Sequence, residues 1–423
     1  MTTSHYDVII LGESLASRIA AVLLTKAGRR VLTVDVPPAL PPSPAWIPVS
    51  LHLERLLDLL DDRSCLVPAT PFQVLSEPVR LTFHGVTARL DELHREFPKD
   101  SQQVQSLFHE LEDIGDRLET ALWECGGLPL TGWASRWRFF YRRLFKGLTR
   151  RKLFRPLASI LKAGVSAQTS QALAALFSGL ALCSIEDLTV AEGALLWRSF
   201  SDNRGVSAVA LNALLTRRFE QFHGESIQLD NQNTLQTVNG RPHELALNDG
   251  RRCSASVFLL GSHVASALLP EELRPGNLTL APSPLRFMIN DGAASPLLAP
   301  IVILDGPPTL RLTQASDTAT DKSRIICQAA APASATSTNH CQDRLAALLP
   351  FATLCLEPPD DRESATATSG RRQKVFPGAV SSLVVEKNLL CCCGEQVLPS
   401  LGAVGEAMVG IGIFNQLQRQ NHF

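Results

Sequence analysis

Gly12-Glu13-Ser14-Leu15-Ala16-Ser17 follows the apolar run Asp7–Leu11 and opens a helix-spaced stretch that reaches Lys26. A loop in that position turns backbone N–H groups toward a ligand at a helix N-terminus, which is where proteins hold phosphate. A dinucleotide fingerprint uses three glycines there: for the tight turn, for close approach of the pyrophosphate, and for helix–strand packing. Gly12 keeps the first position, Ser14 stands at the second and Ser17 at the third. Ser17 is small enough to pack. Ser14 adds a Cβ and a hydroxyl where a phosphate would meet backbone, and Glu13 sets a carboxylate beside an N-terminus that otherwise attracts anions. Asp35 closes the next strand, where it can accept hydrogen bonds from a ribose.

The elements that position these residues read as a βαβ unit. Asp7–Leu11 has the composition of a strand buried in a parallel sheet. Leu15, Ile19, Val22 and Leu23 recur at helical spacing, Ala27-Gly28-Arg29-Arg30 stops the helix, and Val31–Asp35 is the second strand. Beyond it, Pro37-Pro38-Ala39-Leu40-Pro41-Pro42-Ser43-Pro44 is stiff and extended. Leu211, Leu214, Leu215 and Phe219 mark a later apolar helix, which Gly224 ends.

Taken in order, the chain resembles the phytoene desaturase and amine oxidase superfamily of FAD-dependent oxidoreductases over nearly its whole length. Residues 78–111 are similar to that family's hairpin and its helix with a Phe-Pro break, and residues 189–227 to the helix returning to the flavin domain. Residues 245–261 resemble its Asp-Gly hairpin and buried strand. The most specific match is residues 388–410: a strand at Leu389–Cys393, the pair Gly394-Glu395, then Gly402, Gly405 and Gly410. By resemblance, Glu395 accepts hydrogen bonds from ribityl hydroxyls and the glycines lie over isoalloxazine and pyrophosphate; the plainer alternative is a helix packed closely on a sheet. The family's Arg-x-Gly-Gly turn is replaced by the proline run at 37–44.

The resemblance implies an α/β fold, with a discontinuous Rossmann-like FAD/NAD(P)-binding domain and a second α+β substrate domain. The first would take residues 1–75, 200–275 and 375–423, and the second a helical part at 76–199 and a strand-rich part at 276–374. FAD would meet Gly12, Ser14, Ser17, Asp35, Gly394, Glu395, Gly402 and Gly405. Two readings stay open. One is an FAD-dependent oxidoreductase acting on a hydrophobic substrate, such as an isoprenoid, at a membrane surface. The other is a cofactor-free relative serving as a binding or assembly subunit, or as a lipid or polyprenoid carrier. No residue offers itself as catalytic, and in this family the flavin carries the hydride chemistry.

No Asp or Glu occurs between Glu124 and Glu186, a window rich in cations and rings. Arg138, Arg142, Arg143, Arg150 and Arg151 alternate there with Trp137, Phe139, Phe140, Tyr141 and Phe145. Such a pattern suits a helix lying in a membrane interface. It also suits an acidic protein partner meeting residues 136–155, or plain packing with the rings inside. No nucleic-acid module surrounds it.

Composition bounds the rest. The 423 residues are 45% hydrophobic and 19% charged with a net charge of -1, an ordinary globular balance with no global pull toward nucleic acid. Ten cysteines without C-x-x-C spacing suggest neither a zinc site nor a disulfide framework. Cys391, Cys392 and Cys393 read as buried small hydrophobes. Ten histidines lack metal-ligand spacing, so no metal is expected, and His52, His84, His94 and His109 read as surface or capping residues. The start resembles no signal peptide and no run reaches about 18 apolar residues, so a cytoplasmic protein is expected, peripheral on the inner face if it meets a membrane. Residues 329–339 and 358–370 read as loops.

Overall fold

The computed structural model describes residues 3–35, 46–84, 86–128, 130, 133–228, 234–238, 241–261, 285–289, 298–317, 322–330, 335–350, 354–356, 384–386, 388–392 and 399–419. The chain is α/β, with a parallel core sheet, a largely antiparallel second sheet and a helical layer between them. Its organising strand is β1 (Thr3–Leu11), whose Val8–Leu11 are all fully buried. β1 runs parallel to β2 (Val31–Asp35) on one side and to β11 (Arg252–Leu260) on the other. Beyond β2 lies β8 (Glu225–Gln228), and beyond β11 lies β18 (Leu389–Cys391), both parallel; β17 (Val384–Glu386) closes that edge antiparallel. β9 (Thr234–Val238) and β10 (Arg241–Ala246) form an antiparallel flap on β11, and the Asn248-Asp249-Gly250 turn joins β10 to β11. The strand order reverses at β1 and β11, so their C-terminal ends flank the crevice in which open α/β sheets bind ligands.

The second sheet runs β16-β12-β15-β14-β13-β5-β6, from β5 (Phe72–Ser76), β6 (Val79–Phe83), β12 (Leu285–Ile289), β13 (Ile301–Leu304), β14 (Leu310–Asp317), β15 (Lys322–Ala329) and β16 (Leu354–Leu356). Its strands alternate in direction except where β13 lies parallel to β5. Phe72–Ser76, grouped by sequence with the nucleotide unit, therefore belongs to this sheet: its partner Val79–Phe83 continues it as a hairpin. β3 (Trp46–Pro48), β7 (Arg204–Ser207) and β4 (Leu66–Pro68) make a small third sheet centred on β7.

α1 (Leu15–Lys26) joins β1 to β2 and buries Ala16, Ile19, Ala20, Leu23 and Leu24. The helical layer comprises α2 (Leu51–Leu60), α3 (Val86–Glu96), α4 (Ser101–Cys125), α5 (Trp133–Phe145), α6 (Arg150–Leu153), α7 (Leu157–Leu161), α8 (Ala167–Ala181) and α9 (Val190–Phe200). α10 (Ala208–Gln221) packs on α1, α11 (Ala335–Leu348) shares a buried cluster with the second sheet through Cys341 and Leu345, and α12 (Gly402–Arg419) lies on α1. Trp197 of α9 is fully buried and stacks on Phe108 of α4 at 4.0 Å between ring centres.

Further sequence expectations are corrected here: residues 335–339, read as part of a loop, open α11, and two side chains stand otherwise than expected. His52 is wholly buried, with Nδ1 3.4 Å from Glu119 Oε1, because the second position of α2 faces α4 rather than solvent. The left-handed residue after α10 is His223 at φ 64°, and the Gly224 N–H closes on Phe219 O at 2.9 Å.

The contact of α12 with α1 admits no side chain at Gly410, where an added Cβ would stand 2.6 Å from Ala16 O and 2.9 Å from Ile19 Cβ. Gly410→Val should therefore destabilise the fold by about 1–3 kcal/mol, the usual effect of overpacking a dense core. An unchanged thermal midpoint would refute the close helix contact.

Candidate functional site

The crevice beyond β1 and β11 is built on two glycines. Gly12 leaves β1 at φ 79°, the left-handed turn for which glycine is suited, and its N–H donates to Val34 O at 2.8 Å. Gly261 leaves β11 so close beneath that turn that an added Cβ would lie 2.1 Å from Gly12 O. The turn aims α1's first amides into the crevice, and the protein itself meets them.

Ser14 is the N-cap in extended geometry, and its Oγ accepts from Ser17 N–H at 3.2 Å. Ser17 Oγ accepts from Ser14 N–H at 2.8 Å and donates to Ser14 O at 2.9 Å. The two serines thus form a reciprocal capping box that takes two amides a phosphate would use. The amide between these positions is also occupied: Leu15 N–H donates to Glu406 Oε2 at 2.8 Å, across 391 positions of chain. A hydrogen bond to a carboxylate is worth about 1.5–3 kcal/mol net. Here it also sets a negative charge on the positive end of the α1 dipole.

The same corner holds two more carboxylates. Glu13 accepts two hydrogen bonds from Arg18 Nη2, both at 2.7 Å, so the nearby cation is already engaged. Asp35 accepts from Ser226 Oγ at 3.3 Å. Burial, reinforced by Glu13, pushes its carboxyl up to about 6 against the pull of Arg18. Asp35 keeps the position of a ribose acceptor, but as a group that holds its proton well above the usual carboxylate range.

This donor set does not fit a flavin diphosphate on the α1 N-terminus. Ser14, Leu15 and Ser17 amides are taken, and Glu406 and Glu13 would oppose a second anion there. At Gly410 the missing Cβ is what lets α12 meet α1. Gly405 is buried inside α12, while Gly402 begins that helix, exposed, at φ 50°. Gly394, Glu395, Cys393 and the proline run at 37–44 lie outside the described residues. Glu406 went unrecognised in the sequence, although it is the sole charged residue of α12 ahead of Arg419. Cys391 and Cys392 are buried, and the Cys392 thiol donates to Leu260 O at 3.1 Å.

A second candidate surface lies on α5. Trp137, Phe140, Tyr141, Leu144 and Phe145 are 40%, 44%, 49%, 54% and 86% exposed. Their spacing, i, i+3, i+4, i+7 and i+8, makes one apolar stripe along the outer face. Trp137 stacks on Tyr141 at 5.1 Å and meets Phe140 edge-on. Arg138, Arg142, Arg150 and Arg151 are exposed on and beside this helix, and Arg142 Nε is 3.5 Å from Glu124. An open hollow of about 690 Å³ is lined by Arg150, Arg151, Phe154 and Arg155. Arg143 departs from expectation: it is 7% exposed and faces inward with Phe139, since both lie opposite the stripe. Burial, then Arg150, pulls its pKa down. Among the described residues no helix is long and apolar enough to cross a membrane, and no group of three or more His, Cys, Asp or Glu could hold a metal.

No protein-family model and no curated protein sequence matches the chain. Among solved structures, a putrescine oxidase redesigned in its cofactor binding superposes with a TM-score of 0.60 at 11% identity, covering 99% of this chain and 100% of that one. Cyclohexylamine oxidase from Brevibacterium oxydans gives 0.55 at 12%, covering 98% and 99%. An oxidoreductase from Methanosarcina mazei gives 0.55 at 12%, covering 97% and 100%. The chain has the fold of the FAD-dependent amine oxidases and related oxidoreductases.

Because Asp35 binds its proton more tightly folded than unfolded, ionising it costs stability as pH rises from the ordinary carboxylate range toward about 6. Asp35→Asn should raise the thermal midpoint at pH 7.5 and leave it unchanged at pH 2.5, which lies below the aspartate value of both states. Equal effects at both values would mean that Asp35 is not held in its acid form.

Proposed function

We propose that the chain is a cofactor-independent relative of the FAD-dependent oxidoreductases that acts as a docking subunit on an anionic membrane surface. One observation carries this reading: α5 turns its apolar stripe outward, flanks it with arginines and contributes no carboxylate. Rings at headgroup depth with cations on lipid phosphates are the physics of an interfacial helix. The corner around α1 supports the cofactor-independent half, because the Ser14, Leu15 and Ser17 amides are taken and the Glu406 carboxylate is unfavourable to a diphosphate. A second reading, an FAD-dependent oxidoreductase acting on a hydrophobic substrate, is favoured by the retained Gly12 turn and by Asp35 at the end of β2.

Two measurements separate the readings. Purified protein incubated with FAD and desalted should be colourless; a yellow product with stoichiometric flavin would decide for the oxidoreductase. Vesicles rich in phosphatidylglycerol should co-sediment the protein, whereas pure phosphatidylcholine should not. Each surface cation contributes about 1 kcal/mol to such binding. Reversal of Arg138, Arg142, Arg150 and Arg151 to Glu should therefore lower partitioning by roughly a hundred-fold or more. Leu144→Ser with Phe145→Ser should weaken binding that persists at high salt. Retention of the wild-type protein in the supernatant would reject the membrane role and turn attention to an acidic protein partner.

A further inference from the structure

We propose that Glu406 is a resident anion: its carboxylate stands in the diphosphate position of this fold and clamps the C-terminal helix to the first βαβ unit. The inference rests on the crevice alone and holds whether or not α5 meets a membrane.

The registration of the two helices carries the argument. Glu406 and Gly410 stand four apart, and so share one face of α12. Their opposite numbers on α1 are Leu15 and the Ala16–Ile19 turn, with the Leu15 amide 2.8 Å from the carboxylate and Ala16 O where a Gly410 Cβ would be. The bare backbone at Gly410 lets the helices approach, and that approach delivers the carboxylate to α1's first amide. A half-buried carboxylate in an otherwise uncharged segment requires a partner, and the α1 N-terminus supplies both a donor and a positive dipole. Ser14 and Ser17 take the neighbouring amides, and Arg18 is held by Glu13. The Ser14, Leu15 and Ser17 amides and the Arg18 guanidinium are therefore engaged, and an incoming phosphate would have to displace Glu406 from the first amide of α1.

The test uses the full-length protein with inorganic pyrophosphate and FAD as separate probes. Glu406→Ala frees the Leu15 amide and removes the charge. Titration calorimetry should show pyrophosphate binding at least ten-fold tighter than in wild type, and deuterium exchange in a peptide spanning residues 12–18 should accelerate about ten-fold. Glu406→Gln keeps an acceptor for Leu15 but not the charge. It guards against loss of fold in the alanine variant, and should raise pyrophosphate affinity while leaving exchange near wild type. Wild-type protein that binds either probe stoichiometrically at micromolar concentration would overturn the proposal. So would a folded Glu406→Ala protein with unchanged exchange and no gain in affinity. Since neither readout involves lipid, failure here leaves the docking role of α5 standing, and failure of vesicle binding leaves Glu406 in place.

Discussion

The approach of α12 to α1 is the constraint on which the rest of the architecture turns. α1 is held between the core sheet below and the last helix of the chain above, so the two ends of the sequence close one layer. A helix crossing that close needs bare backbone at Gly410, and a similar need appears at Gly412, where an added Cβ would lie 1.8 Å from Leu128 O. Two of the glycines in α12 are thus accounted for by close packing, Gly410 against α1 and Gly412 against the turn that follows α4. A polar bond then completes an apolar seam, with Glu406 satisfying an amide that helix geometry leaves without an internal partner.

Electrostatics at the same corner run opposite to those of a phosphate cradle. Such a cradle gathers unpaired amides and cations around an empty space. Here Ser14 and Ser17 satisfy each other, Arg18 is committed to Glu13, and Asp35 stays protonated to about pH 6 because burial and Glu13 disfavour its charge. The geometry of a nucleotide-binding fold is kept while its charge pattern is inverted. Fold and chemistry part company in this way because the sheet depends on packing, and the ligand on a few amides at one helix end.

α5 departs in part from the ordinary pattern on the outer surface, burying one arginine while Arg138 and Arg142 stay exposed. An ordinary surface helix buries its rings and exposes its arginines. α5 buries Arg143 beside Phe139 and exposes Trp137, Phe140, Tyr141, Leu144 and Phe145. The exposed stripe is the larger departure, since contiguous exposed rings along one helix face are uncommon on a protein surface.

Local pattern in the sequence determined the elements: the apolar run at Val8–Leu11, the helical spacing from Leu15 to Leu23, the Asp249-Gly250 turn and the apolar stripe of α10 all stand where their periodicity placed them. It also flagged Ser14 and Glu13 as unsuited to phosphate, since a Cβ and a charge act wherever the loop goes. What it left undecided depended on which distant residues meet. Phe72–Ser76 joined the second sheet because its strand partners are Val79–Phe83 and the far Ile301–Leu304. His52 went inside because Glu119 stood opposite, and Arg143 went inside with Phe139 because both lie on the face of α5 opposite the exposed stripe. Glu406 reached Leu15 only after 391 positions of chain had folded between them. Periodicity reports which face of an element is apolar; only tertiary contact decides what that face touches and which unpaired amide a remote carboxylate will find.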